Sequence, residues 1–113
     1  MGRRHIWKPR QVIRALRRLG FTQDKRRGKG DHIWFYKRVT CLHGEKHSIV
    51  TMVDPEVDDI PHGTMNRIRD AIALDDEQLY KAYKGEYTED MYAEYLLSVP
   101  KNRLLPPAMR RGS

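Results

Sequence analysis

The apolar positions of this chain change their spacing several times, and each change predicts an element. From Pro9 to Leu19, Val12, Ile13, Leu16 and Leu19 recur at helical spacing, with Gly20 as a left-handed stop. Pro9 suits the first turn, where its missing N–H would be unpaired anyway. The opposite face carries Arg10, Arg14, Arg17 and Arg18, so the helix is apolar beneath and cationic above. Phe21 to Lys25 predicts a short strand. After the turn Arg26-Arg27-Gly28-Lys29-Gly30, a firmer strand runs from about Asp31 to Arg38. Period-two alternation puts His32, Trp34 and Tyr36 on one of its faces and Ile33 and Phe35 on the other.

Residues 39–47 predict a hairpin connection with His43-Gly44-Glu45-Lys46 at its tip, and Ile49, Val50, Met52 and Val53 mark a third strand. An acidic loop follows at residues 54–59, then a second helix capped by Thr64, with Met65, Ile68 and Ile72 on its apolar face. Asp75-Asp76-Glu77-Gln78 reads as a capping box for a third helix that packs Leu79, Ala82 and Tyr83 and stops at Gly85. Thr88-Glu89-Asp90 opens a last helix carrying Tyr92, Tyr95 and Leu96, which ends before Pro100. The stretch 98–113, with Pro106-Pro107 and a basic end, is expected to be loosely held. This order predicts an α+β fold, a small three-stranded antiparallel sheet packed against helices, with extra C-terminal helices. At 113 residues the chain is expected to form one domain.

Charge adds a direction to this plan. Residues 1–53 hold 14 Lys and Arg against 3 Asp and Glu, whereas residues 54–97 hold 4 against 12, and the rest is again basic. A basic first half suggests a polyanionic partner, because the excess lies on both the first helix and the turn before His32. The acidic helices are the part suited to protein contact. There Tyr80, Tyr83, Tyr87, Tyr92 and Tyr95 offer area for a homo-oligomer interface or for docking another protein, or simply ordinary packing. The single cysteine, Cys41, fits a reducing compartment, and no apolar run approaches bilayer-spanning length, so a cytoplasmic protein is expected.

Candidate chemistry gathers at the junction of the glycine-punctuated turn and the second strand. His32 stands there with an imidazole that can take and give a proton near neutral pH. Lys25, Arg27 and Lys29 on one side, with Arg14, Arg17 and Arg18 on the first helix, are candidate phosphate contacts. Trp34 and Tyr36, sharing the face of His32, suit stacking on single-stranded bases, although the same pattern also describes an ordinary covered sheet. Cys41, His43 and His47 invite a zinc reading, but their spacing matches no established ligand pattern and a fourth ligand is missing. No metal or other cofactor is expected.

Three segments in order carry a family resemblance: Lys8-Pro9-Arg10-Gln11-Val12-Ile13 through Leu19-Gly20-Phe21, then Gly30-Asp31-His32, then Ile60-Pro61-His62-Gly63-Thr64-Met65 through Ile68. Together they resemble the HicA family of toxin endoribonucleases, over roughly residues 8–80. The resemblance implies a fold like a double-stranded-RNA-binding domain, cleavage of messenger RNA, and a HicB-type antitoxin partner. It also implies a catalytic role for His32, since the family's Gly-Ser-His segment corresponds to Gly30-Asp31-His32, with Asp31 in place of the serine. Residues 8–74 would form the HicA-like core and residues 75–97 a helical extension. The alternative is an RNA-binding module or adaptor of the same fold that does not cut.

Overall fold

The computed structural model describes residues 5–25 and 32–111. Helix α1 (Pro9–Arg18) buries Val12, Ala15 and Leu16 and ends where Gly20 adopts a left-handed backbone, at φ 94°. Three strands follow, β1 (Thr22–Gln23), β2 (Ile33–Thr40) and β3 (Lys46–Val53), in an antiparallel sheet of order β1-β2-β3. Then come α2 (His62–Ile72), α3 (Asp76–Lys84), α4 (Glu89–Leu96) and α5 (Lys101–Leu104). The architecture is α+β, as the pattern predicts.

The pleat sorts the sheet into two faces. Phe35, Val39, Ile49 and Val53 are buried toward the helices beside the buried Thr51, and they join one core with Leu16 and Leu19 of α1, Ile68 and Ile72 of α2, Leu79 of α3, and Tyr92 and Leu96 of α4. On the other face Trp34 pairs opposite Met52, and Tyr36 opposite Val50. Tyr36, Val50 and Met52 remain 40%, 36% and 37% exposed, so this outer face is open and apolar.

Several boundaries differ from the sequence pattern, each for a local reason. The β2–β3 connection is tight: residues Leu42–Gly44 form a single 3-10 turn, and Thr40 pairs with Lys46. His43 and Gly44 both take positive φ there, 63° and 75°, which reverses the chain within few residues. Helix α2 begins at His62 behind Pro61, so Thr64 lies in the first turn and makes no cap. The capping box at Asp75 and Gln78 is present, with reciprocal bonds of 2.7 and 3.0 Å, and Thr88 caps α4 through Met91 N–H.

Residues 101–111, expected to be loosely held, are folded back onto α2. Arg103 and Arg110 both pair with the Asp70 carboxylate, at 3.3 and 2.6 Å, and Leu104 is buried. The tyrosines divide by burial. Among those at 80–95, Tyr87 and Tyr92 are core residues, Tyr83 is half-buried, Tyr95 donates to the Ala73 carbonyl at 2.7 Å, and Tyr80 is exposed. Trp7 is buried as well, donating through Nε1 to Asp76 at 2.8 Å and so fastening the segment just before α1 to α3.

Candidate active site

The backbone brings the chain to His32 along the β1–β2 edge. Past β1, Asp24 N–H donates to the Trp34 carbonyl at 2.8 Å, extending the ladder beyond the two residues of β1. Lys25 is the last described residue after β1, and His32 stands immediately before β2. Arg27, Lys29 and Asp31 lie outside the described residues. His32 is exposed, and it lines one end of a groove of about 510 Å³ between β3 and α2. Its ring is therefore open to a large ligand while its backbone is set by the adjoining strand.

The cationic helix face divides. Arg17 Nη2 donates to the Gln23 side chain at 3.3 Å, and Gln23 pairs with Phe35, three residues from His32. That interval corresponds to roughly 10 Å along an extended strand. Arg14 is exposed one turn earlier on α1. Arg18 lies instead against the C-terminal end of α3, where a Cβ on Gly85 would come within 2.7 Å of its Nη1. Lys25 is exposed two residues past β1. Trp34, half-buried, and the more exposed Tyr36 alternate with buried Phe35, so both stand on the open face with Met52 and Val50.

The sulfur and imidazole groups farther along β2 and β3 have separate surroundings. Cys41 is buried and its thiol donates to the Glu45 carbonyl at 3.1 Å, while His43 is exposed at the turn. His47 sits beneath α5; burial and the nearby Lys101 charge lower its pKa, partly offset by a hydrogen bond with the Leu104 backbone.

Two residues of the groove escape a reading of apolar stripes, Arg67 and Asp54. Thr64, Arg67 and Ala71 recur at helical spacing and form a second face of α2, turned to the groove rather than the core. Asp54 accepts from Glu56 N–H at 2.9 Å, which holds its carboxylate at the end of β3. The sequence signal for both was a polar residue beside an apolar run, which is too common to single them out.

The helix, three antiparallel strands and helix, with a basic first helix and an open aromatic sheet face, describe a small α+β domain consistent with the double-stranded-RNA-binding-domain-like class. A family profile described as the HicA toxin of bacterial toxin-antitoxin pairs matches residues 9–74, more than half of the chain. The chain belongs to this HicA toxin family. Neither the curated proteins nor the solved structures compared with it gave a match. Among the described residues no helix is long and apolar enough to cross a membrane.

Proposed function

We propose that this toxin is an endoribonuclease that cleaves messenger RNA by acid/base catalysis at His32. The observation that carries the reading is the placement of His32, exposed at the start of the central strand and at the end of a groove, in a chain of the HicA toxin family. RNA brings its own nucleophile. The imidazole takes the proton of a 2′-hydroxyl, the 2′-oxygen attacks phosphorus, and the bond to the 5′-oxygen breaks. A 2′,3′-cyclic phosphate and a 5′-hydroxyl result, the proton for the leaving oxygen coming from the imidazolium or from a lysine ammonium. Such proton transfer contributes roughly 10²–10⁴-fold in rate.

Lys29 and Arg27 would hold the scissile phosphate, with Lys25 beside them, and Arg14 and Arg17 would follow the flanking backbone. Arg18 stands apart from these, against the C-terminal end of α3. Trp34 and Tyr36 would stack unpaired bases on the open face. A HicB-type antitoxin is the protein partner this assignment calls for. Asp31, a carboxylate where the family has serine, favours a second reading in which RNA is bound without being cut.

Cleavage of a labelled messenger RNA in excess EDTA, by wild type and by a folded His32→Gln variant, separates these readings. We expect cut products from wild type and none from the variant. Undiminished cutting by the variant would remove His32 from the mechanism, and RNA binding by wild type without products would establish the non-cutting module.

A further inference from the structure

The groove that His32 opens onto has three kinds of wall. Its floor is apolar, with Trp34 and Met52 directly opposite each other on β2 and β3 and half-buried Val57 on the following loop. On the α2 side stand the Thr64 hydroxyl and the Arg67 guanidinium, and at the end of β3 stands the Asp54 carboxylate. Arg67 is exposed and makes no side-chain hydrogen bond or ion pair among the described residues, whereas Arg69, two positions on, is tied to Asp76 at 2.7 Å and Asn66 at 2.6 Å. The helix thus satisfies its inner arginine and leaves the outer one for something else. Asp54 uses one oxygen on Glu56 N–H, and its other oxygen is likewise uncommitted among the described residues.

We propose that this groove is a nucleotide subsite: it takes one unstacked nucleotide of the RNA beside the phosphate held at His32. The inference rests on the RNA-cleaving or RNA-binding reading of the preceding section. The match is chemical. A nucleotide has a flat apolar face for Trp34 and Met52, a phosphate for Arg67, and a base edge with N–H donors for Asp54. At about 510 Å³ the groove falls within the usual range for small-ligand sites, roughly 300–1,000 Å³. Arg67 also borders a second groove of about 560 Å³, lined by His47, Ser48, Leu105 and Pro107, so a phosphate at Arg67 has room for chain on both sides. An extended protein segment laid along β3 would use the apolar floor and the strand edge, but it would have no general need, at fixed positions, of a guanidinium without a partner among the described residues and a carboxylate with one oxygen to spare. Those two charges favour the nucleotide. Asp54 then becomes the residue that reads the base.

The test uses the full chain and a fluorescent RNA oligonucleotide made uncleavable by 2′-O-methyl groups, so that binding is read apart from cutting. Met52 and Arg67 are exposed, and Met52→Ala and Arg67→Gln are expected to keep the fold, which a thermal melt verifies. We expect Arg67→Gln to weaken binding about tenfold, Met52→Ala several-fold, and Asp54→Asn to change which base is preferred at one position of the oligonucleotide. Wild-type affinity in all three variants, with loss of affinity in Arg14→Gln or Arg17→Gln, would overturn the subsite and leave RNA binding itself standing. Unchanged RNA binding together with a weakened antitoxin complex would make the groove a protein-docking site instead. Failure of the wild-type chain to bind any RNA would remove the underlying reading and the subsite with it.

Discussion

Lys37 Nζ donates to Glu89 Oε2 at 2.8 Å, joining the core-facing side of β2 to the first turn of α4. Lys37 lies between Phe35 and Val39 on the inward face, and only 12% of its side chain is exposed. An ammonium so placed needs a partner, and the family match ends before the residue that supplies it. The pair is also crowded. A Cβ on Gly20 would come within 2.3 Å of Glu89 Oε2 and 2.6 Å of Lys37 Nζ.

Removing the acidic partner should therefore cost more than removing the lysine. Glu89→Gln leaves a partly buried ammonium without its counter-charge and is expected to lower stability by about 1–2 kcal/mol. Lys37→Met replaces that ammonium with an apolar side chain suited to the inward face and should cost less. Urea unfolding of the two variants and of the double variant checks the order. Equal losses in both single variants would show that the pair acts only through its mutual attraction.

Two buried tyrosines should respond oppositely to loss of their hydroxyls. Tyr92 is fully buried and donates to the Ile72 carbonyl at 2.8 Å, and burial raises its pKa well above the ordinary range. Tyr92→Phe strands that carbonyl and is expected to cost about 1–2 kcal/mol. The Tyr87 hydroxyl is buried with no hydrogen-bond partner among the described residues. Tyr87→Phe should be neutral or slightly stabilising, because it removes a polar group that is desolvated for nothing. Thermal unfolding of each variant reads the contrast.

These residues illustrate which parts of the structure local pattern can reach. Val12, Leu16 and Leu19 declare α1 through a single stripe, and Asp75 with Gln78 declares the start of α3, since both signals act within one or two helical turns. Lys46 and Ser48 conceal the first half of β3 because that strand's outer face is open to solvent, where polar residues are as acceptable as apolar ones. The C-terminal residues were hidden for a different reason. Arg103 and Arg110 find their counter-charge on Asp70, more than thirty residues earlier, and no local pattern records such a pairing. At the candidate site, the position of His32 before a strand was legible. Arg67 and Asp54 become neighbours of the same groove only once β3 lies beside α2.

The protonation of His47 should couple stability to pH. Its pKa lies below the ordinary value of 6.5, chiefly through burial and then through the Lys101 charge. As pH falls, the unfolded chain takes up this proton before the folded one does. The contribution of His47 is therefore fully present above about pH 6.5 and declines as pH drops below it toward the folded value. Urea midpoints at pH 7.5 and 5.5 should fall further for wild type than for His47→Gln. An identical fall in both would place the acid sensitivity elsewhere.

Although the family match ends at Leu74, the core does not. Trp7 reaches Asp76, Tyr92 holds the carbonyl of Ile72, and Leu79, Ala82 and Leu96 belong to the same buried cluster as Leu16 and Phe35. Cutting the chain after Leu74 would expose that cluster and strand the Lys37 ammonium. Each large side chain so exposed forfeits roughly 1.5–3 kcal/mol of burial, and several lost together exceed the net stability of a typical small domain, about 5–15 kcal/mol. The truncated chain is expected to lack a cooperative thermal transition and near-ultraviolet circular dichroism, while the full chain shows both. A cooperative transition in the truncated chain would show that residues 9–74 fold alone and that the later helices are an addition to a finished domain.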